Sequence, residues 1–305
     1  MRCASLLIVL LASPSHADWR VAKQHATGSM PWGVIATGDD VIVGHVGYSG
    51  HDNVWRYRDG RVVARAKFPG HVVELALADG TLYAGNSRKD LVVALDPVTL
   101  AVRRQFRTGS GPKDLCVSPD GSTLYAGNFN TNTVSVIDVD TGSEKKIVVG
   151  AGPRGLDTTG AKLYVANLRA STVSVIDTKT LAITSTIRGC KGAAHTSLTP
   201  DRAQLLVTCY GARHVQVIDT ATDKAIRMIE VGAGPNPIAI TPDGTQALVG
   251  NEFADSLSTI DLATWKVTTI ALPIRRPVGV IVAPDGKRAY ATGRGSTKLV
   301  ELARE

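Results

Sequence analysis

Three sets of side chains in this sequence could do chemistry by converging on one place. His45, His51, His71, His195 and His214 recur at one end of a repeat of about forty residues. Imidazole is both the commonest transition-metal ligand and a natural general base. Arg88, Lys89, Arg169, Arg213 and Arg294 are five cations in topologically equivalent loops of four copies, where converging cations would focus field on a carboxylate, a phosphate or an acidic protein surface. The third set follows a recurring Pro and gives Trp32, Lys113, Asp114, Arg154, His195 and Asn236. His71 stands in the place of the Pro itself in one copy, and Arg275-Arg276 precedes it in the last.

The elements that must position these residues come from the repeat. Pro31, His71, Pro112, Pro153, Ala193, Pro235 and Pro277 are spaced 40, 41, 41, 40, 42 and 42 residues apart. Each copy runs an apolar segment, a turn such as Pro119-Asp120-Gly121, and a second apolar segment ending near Asn86, Asn128, Asn167 or Asn251. A third segment of the type Val134-Ser135-Val136-Ile137-Asp138 and a fourth complete it. Four short β-branched runs per forty residues are the signature of a propeller blade. The last copy ends after three segments, while Trp19 to Ala26 is an orphan fourth segment at the other end. The expected fold is therefore an all-β, seven-bladed β-propeller of four-stranded blades, closed by an N-terminal outer strand on the C-terminal blade.

Met1 to Ala17 has one Arg, an apolar stretch from Ala4 to Ala12 and a Ser15-His16-Ala17 ending, and so reads as a secretory signal. Residues 18–305 are expected to form one propeller domain, periplasmic or secreted. No later run approaches the eighteen apolar residues that a membrane span needs. Losing Arg2 with the signal lowers the formal charge from +7 to +6, which is modest for a nucleic-acid binder. The aromatic residues do not interleave with the basic ones along the chain, and export argues against a genomic target. No nucleic acid is expected as partner.

Cys190 lies ten residues before Pro200 and Cys209 nine after it, so folding the hairpin there sets the two nearly opposite. An oxidising compartment makes a disulfide between them the expectation. Cys116, inside a first strand, reads as a small buried apolar residue. Asp96, Asp138, Asp177, Asp219 and Asp261 each have a Thr three residues on, which is turn chemistry rather than catalysis. Asp120, Asp201, Asp243 and Asp285 belong to the turns between first and second strands.

The Leu163-Tyr164-Val165-Ala166-Asn167 run, the Val-Ser-Val-Ile-Asp strands, the Pro-Asp-Gly turns and the Gly-x-Gly-Pro blade starts resemble the YVTN β-propeller repeat family. The resemblance covers residues 18–305. It implies a seven-bladed propeller, usually exported, in a family that includes surface and periplasmic proteins. Related propellers include lactonases, streptogramin lyases and proteins accompanying quinone-dependent dehydrogenases. Fold alone does not choose among these.

Function is therefore sought where the repeat is broken, on the face carrying the blade starts and the loops between second and third strands. Trp32, His71, Lys113, Arg154, His195, Asn236 and Arg276 are the candidate ligand-binding residues, with Tyr48, Phe129, Tyr210 and Phe253 nearby. Asp52, Asp90, Glu252 and Asp255 on the same rim oppose the cations. No HExxH, CxxC or paired-Asp loop is present, so no metal site is assigned. The expectation is a monomeric binding or accessory protein for a small anionic molecule or a protein partner. The alternative is a lyase or lactonase: His195 would take a proton, Arg154 and Lys113 would hold a carboxylate or oxyanion, and a divalent metal would be the cofactor to look for. Glu74, Asp114, Asp157 and Asn236 are the acidic and amide groups such an ion would draw on.

Overall fold

Alternating β-branched and small residues, broken every five to seven positions by Gly, Asp or Asn, leave the backbone no option but short antiparallel strands joined by tight turns. The computed structural model, which describes residues 18–47 and 53–305, contains seven four-stranded antiparallel sheets. Blade 3 is representative, with strands Pro112–Val117, Thr123–Asn128, Thr133–Asp138 and Glu144–Val148 running from the central channel outwards. The expected signal at residues 1–17, and Tyr48, His51 and Asp52, lie outside the described residues. Among those described, no helix is long and apolar enough to cross a membrane.

Trp19–Ala26 pairs antiparallel with Lys298–Arg304, from Trp19 opposite Arg304 to Ala26 opposite Lys298, with one register shift between Val21 and Lys23. The N-terminal strand thus supplies the outer strand of blade 7, and the ring is closed as the repeat count requires. Seven apolar clusters follow, one at each blade–blade interface. Leu, Val, Ile and Ala fill them, as a chain with 5% aromatic residues must. Tyr57, Tyr83, Phe106, Tyr125, Tyr164 and Tyr290 join them in four of the clusters, and Trp19 is buried in the blade 6–blade 7 cluster, its indole N–H donating to Gln246 Oε1 at 2.9 Å.

Turn chemistry explains most of the acidic residues. Asp138 accepts both the N–H and the hydroxyl of Thr141 at 2.7 Å, which hold its carboxyl below the usual carboxylate range. Asp96, Asp177, Asp219 and Asp261 repeat the arrangement. Asp120, Asp201, Asp243 and Asp285 accept the N–H two residues on. All nine are structural.

Packing also fixes the small residues at blade junctions. The Asn167 side-chain amide donates to Thr172 and Ser174 and lies flat against Gly150, where an added Cβ would sit 2.6 Å from its Nδ2. His45 takes the place of that Asn in blade 1, with Nε2 2.8 Å from Thr27 Oγ1. It is buried structural histidine rather than part of the mouth.

Cys190 and Cys209 form a disulfide with Cα atoms 5.0 Å apart, as their placement about Pro200 predicts. Both are buried at the blade 4–blade 5 interface. Closing a loop of sequence separation 19 contributes about 3 kcal/mol in the chain-entropy model. The Cys190→Ala/Cys209→Ala protein should therefore unfold about 6–10 °C lower than the oxidised protein. Calorimetry checks this, and an unchanged midpoint would mean the bridge adds nothing. Cys116 is unpaired and partly enclosed, and burial pushes its thiol well up, so it is inert at neutral pH.

Candidate functional site

The first strand of every blade begins with a register irregularity: between Pro112 and Leu115 in blade 3, Pro153 and Gly155 in blade 4, Ala193 and Thr196 in blade 5, and at matching places in the other four. Such a bulge breaks strict alternation and re-aims side chains. Successive residues such as Lys113 and Asp114 can then both serve the channel, at different depths. Gly155 makes room for the neighbouring strand, since a Cβ there would meet Ala194 O at 2.5 Å and His195 Cα at 2.7 Å.

The upper layer is cationic and aromatic. Lys113 from blade 3 and Arg294 from blade 7 both reach the ring of Trp32 in blade 1, each 5.8 Å from its centroid. Arg154 lies 5.5 Å from the centroid of Tyr210, which packs on Phe253 at 5.0 Å; Arg276 lies 5.9 Å from Phe253. Cations and rings that are scattered along the chain thus alternate in space. One ground for setting aside a nucleic-acid partner is thereby removed; the modest charge and the expected export are the others.

Glu252 decides which of these cations are free. Its carboxylate is buried and takes Arg276 at 3.0 Å, Arg294 at 3.3 Å and the Asn236 amide N–H at 2.9 Å. Asn236 Oδ1 is enclosed and has no hydrogen-bond partner. Lys113 and Arg154, by contrast, make no hydrogen bond or ion pair among the described residues. Burial lowers the pKa of both; Arg154 and Arg294 further oppose Lys113, while at Arg154 the Glu252 charge partly offsets burial and Arg294 adds to it. Like charges held together without a partner are electrostatically costly.

Two rim acids that oppose the cations in the sequence do other work. Asp90 accepts the N–H of Gly111, and Asp255 that of Arg276; Asn132 does the same for Gly152 and Ser171 for Gly192. Each acceptor has a positive φ and latches its blade to the start of the next. Their constant spacing of 20 or 21 residues from the donor was readable in the sequence.

The lower layer is acidic and enclosed. Glu74, Asp114, His195 and Thr196 line one cavity of about 160 Å³, whose remaining walls are apolar residues such as Leu75, Leu156 and Val280. Glu74 accepts the Leu75 N–H at 3.1 Å. Asp114 accepts the N–H of Leu115 at 2.8 Å and, across the blade boundary, that of Leu156 at 2.6 Å. Asp157 repeats this towards Leu198. These carboxylates satisfy N–H groups on the channel edge of the inner strands, which no further strand covers. Burial pushes Glu74 up to about 7 and Asp157 to about 6; it also raises Asp114 well above its ordinary value, with the Glu74 charge adding to the effect. Burial, then Arg154, pushes His195 down to about 3. Its ring makes no hydrogen bond among the described residues.

The candidate residues therefore fall into two groups. Trp32, Lys113, Arg154, Asn236 and Arg276 meet at the mouth with Glu252, Arg294 and Tyr210, while His195 belongs to the cavity below. His71 is on the Lys113 side, its Nε2 enclosed and unbonded, with its pKa lowered by burial, Arg88 and Lys113. Among the described residues no three His, Cys, Asp or Glu side chains gather as a metal ion would need. A larger groove, about 600 Å³, lies on the opposite face beside Asp201, Asp243 and Arg304. Its charges already have partners: Arg304 pairs with Asp243 at 2.7 Å, and Asp201 accepts the Thr199 hydroxyl at 2.5 Å. Arg304 Nε is left without a hydrogen bond there, whereas at the channel His71 Nε2, Thr196 Oγ1 and Asn236 Oδ1 are all left without one.

No curated protein matches the chain significantly. The family model of the YNCE-like beta-propeller matches residues 58–243, from the third strand of blade 1 to the first turn of blade 6. That is more than half of the chain, and with seven blades in a closed ring it establishes that this chain belongs to the YNCE-like β-propeller family.

Proposed function

We propose that the protein is exported after loss of residues 1–17, forms one domain over residues 18–305, and acts as a monomeric binding or accessory protein that engages an anion at the channel mouth. The anion is a small molecule or an acidic group of a protein partner. The observation that carries this reading is the pair Lys113 and Arg154, enclosed cations without a carboxylate partner beside two arginines that Glu252 neutralises. An anion seated between them would relieve their mutual repulsion and gain the bidentate hydrogen bonds that Arg offers. The outer strands support a monomer, since charges such as Lys145, Lys146, Arg103 and Arg104 guard the exposed sheet edges. The lyase or lactonase alternative needs His195 to accept a proton, and an imidazole held down to about 3 is a weak base at neutral pH.

Thermal unfolding with pentanoate, phosphate and sulfate at constant ionic strength tests the proposal. A ligand at a hundred times its Kd stabilises by about 2.7 kcal/mol, so the midpoint should rise by about 5 °C. No rise with any anion would refute the reading. A rise with calcium or zinc alone, reversed by EDTA, would favour the metal-assisted enzyme.

A further inference from the structure

The cavity beneath the mouth is lined by acceptors. Glu74 has one oxygen on the Leu75 N–H and the other without a protein donor among the described residues. Thr196 Oγ1 is enclosed and makes no hydrogen bond. The neutral His195 ring, unbonded, offers an acceptor nitrogen. Arg154 and Lys113 above are donors only. Along the channel axis, donors and positive charge thus give way to acceptors and negative charge.

We propose that Glu74, Thr196 and His195 form a second subsite that takes an ammonium group, so that the ligand is a short dipolar molecule with a carboxylate at Lys113 and Arg154 and an amine below. This rests on the anion-binding reading and adds the other half of the ligand. An ammonium has three N–H donors for the three unsatisfied acceptors. Water occupies about 30 Å³ in the liquid, so a cavity of about 160 Å³ takes about five groups of that size. Four methylenes and one nitrogen match that number. The apolar walls, Leu75, Leu156 and Val280 among them, suit the methylenes.

The groups facing Glu74 are Asp114 from blade 3, Arg154 from blade 4 and His195 from blade 5, with Asp157 and Cys116 near Asp114. His195 stays neutral throughout the range used below. An ammonium therefore competes with protons on the Glu74–Asp114 pair, and its binding releases a proton. The preference for an amine must weaken as pH falls.

Calorimetric titration of the purified protein with 5-aminopentanoate and pentanoate tests this. At pH 8 the amino acid should bind at least tenfold tighter, with proton release visible as a heat that depends on the buffer. At pH 6 the ratio of the two affinities should shrink several-fold; taking the ratio cancels any titration of the mouth. Glu74→Gln should abolish the advantage while leaving pentanoate bound as tightly or more so. Equal affinities at pH 8, or an advantage that ignores both pH and Glu74→Gln, would overturn the dipolar ligand and leave the anion reading standing. Binding of neither compound would count against both.

Discussion

Deleting residues 18–26 should leave a protein that no longer unfolds as one cooperative ring. The strand Trp19–Ala26 covers the edge of Lys298–Arg304 over its whole length, and Trp19, 3% exposed, fills part of the interface between blades 6 and 7. Without it, blade 7 presents an unpaired, largely buried strand to solvent, which invites aggregation. Truncating a buried Trp alone costs about 3–5 kcal/mol, so Trp19→Ala should lower the midpoint by about 10 °C, and loss of the whole strand by much more. A permutant distinguishes ring closure from mere loss of residues. Glu305 N donates to Asp18 O at 3.1 Å, so a short turn can join the two, and residues 18–26 moved to follow Glu305 should restore cooperative unfolding. Calorimetry and size-exclusion chromatography read both results. A deletion protein with the wild-type midpoint would show that the seventh blade does not need its fourth strand.

Ring closure was legible because it follows from counting. The anchors from Pro31 to Pro277, a last copy one segment short and an orphan segment at the front admit one arrangement. The Asp–Thr turns were legible for the same reason, being local and repeated. The disulfide needed one step more, folding the chain about Pro200, and a single hairpin register sufficed.

The site was legible only in part, because its chemistry depends on neighbours far apart in sequence. Seven blade starts gave the ring of candidates, including Lys113, Arg154 and Asn236. Their spacing could not show that Glu252 reaches inwards to neutralise Arg276 and Arg294, since a loop Glu looks the same whether it faces solvent or the channel. Nor could it bring Glu74 of blade 2, Asp114 of blade 3 and His195 of blade 5 to one cavity. The bulges at the blade starts decide that depth, and they leave no mark in residue type. The ion pairs of Asp40 with buried Arg56 and exposed Arg58, each at 2.8 Å, were missed for a related reason. They occur in one blade only, where repetition gives no guide.

The mouth should show its function as a cost to stability. Lys113→Gln/Arg154→Gln removes two enclosed cations that repel each other and Arg294, and replaces them with shorter neutral side chains. Enclosed charges without hydrogen-bonded partners destabilise a fold, so the double variant should unfold at a higher temperature than the wild type, by about 2–4 °C for about 1–2 kcal/mol. Its affinity for a carboxylate such as pentanoate should fall at least a hundredfold, since two charge-assisted contacts are lost at about 1.5–3 kcal/mol each. Added pentanoate should stabilise the wild type and leave the variant unchanged. Arg276→Gln is the control: its charge is already held by Glu252, and removing it leaves that buried carboxylate less well paired, so stability should fall and pentanoate affinity change little. A structural role for Lys113 and Arg154, in packing Trp32 and Tyr210, predicts the opposite sign for the double variant, a lower midpoint with no effect on anions. The two readings are thus separated by the direction of a single shift. Residues selected for packing stabilise the free protein, whereas residues selected for a ligand are stabilised by it.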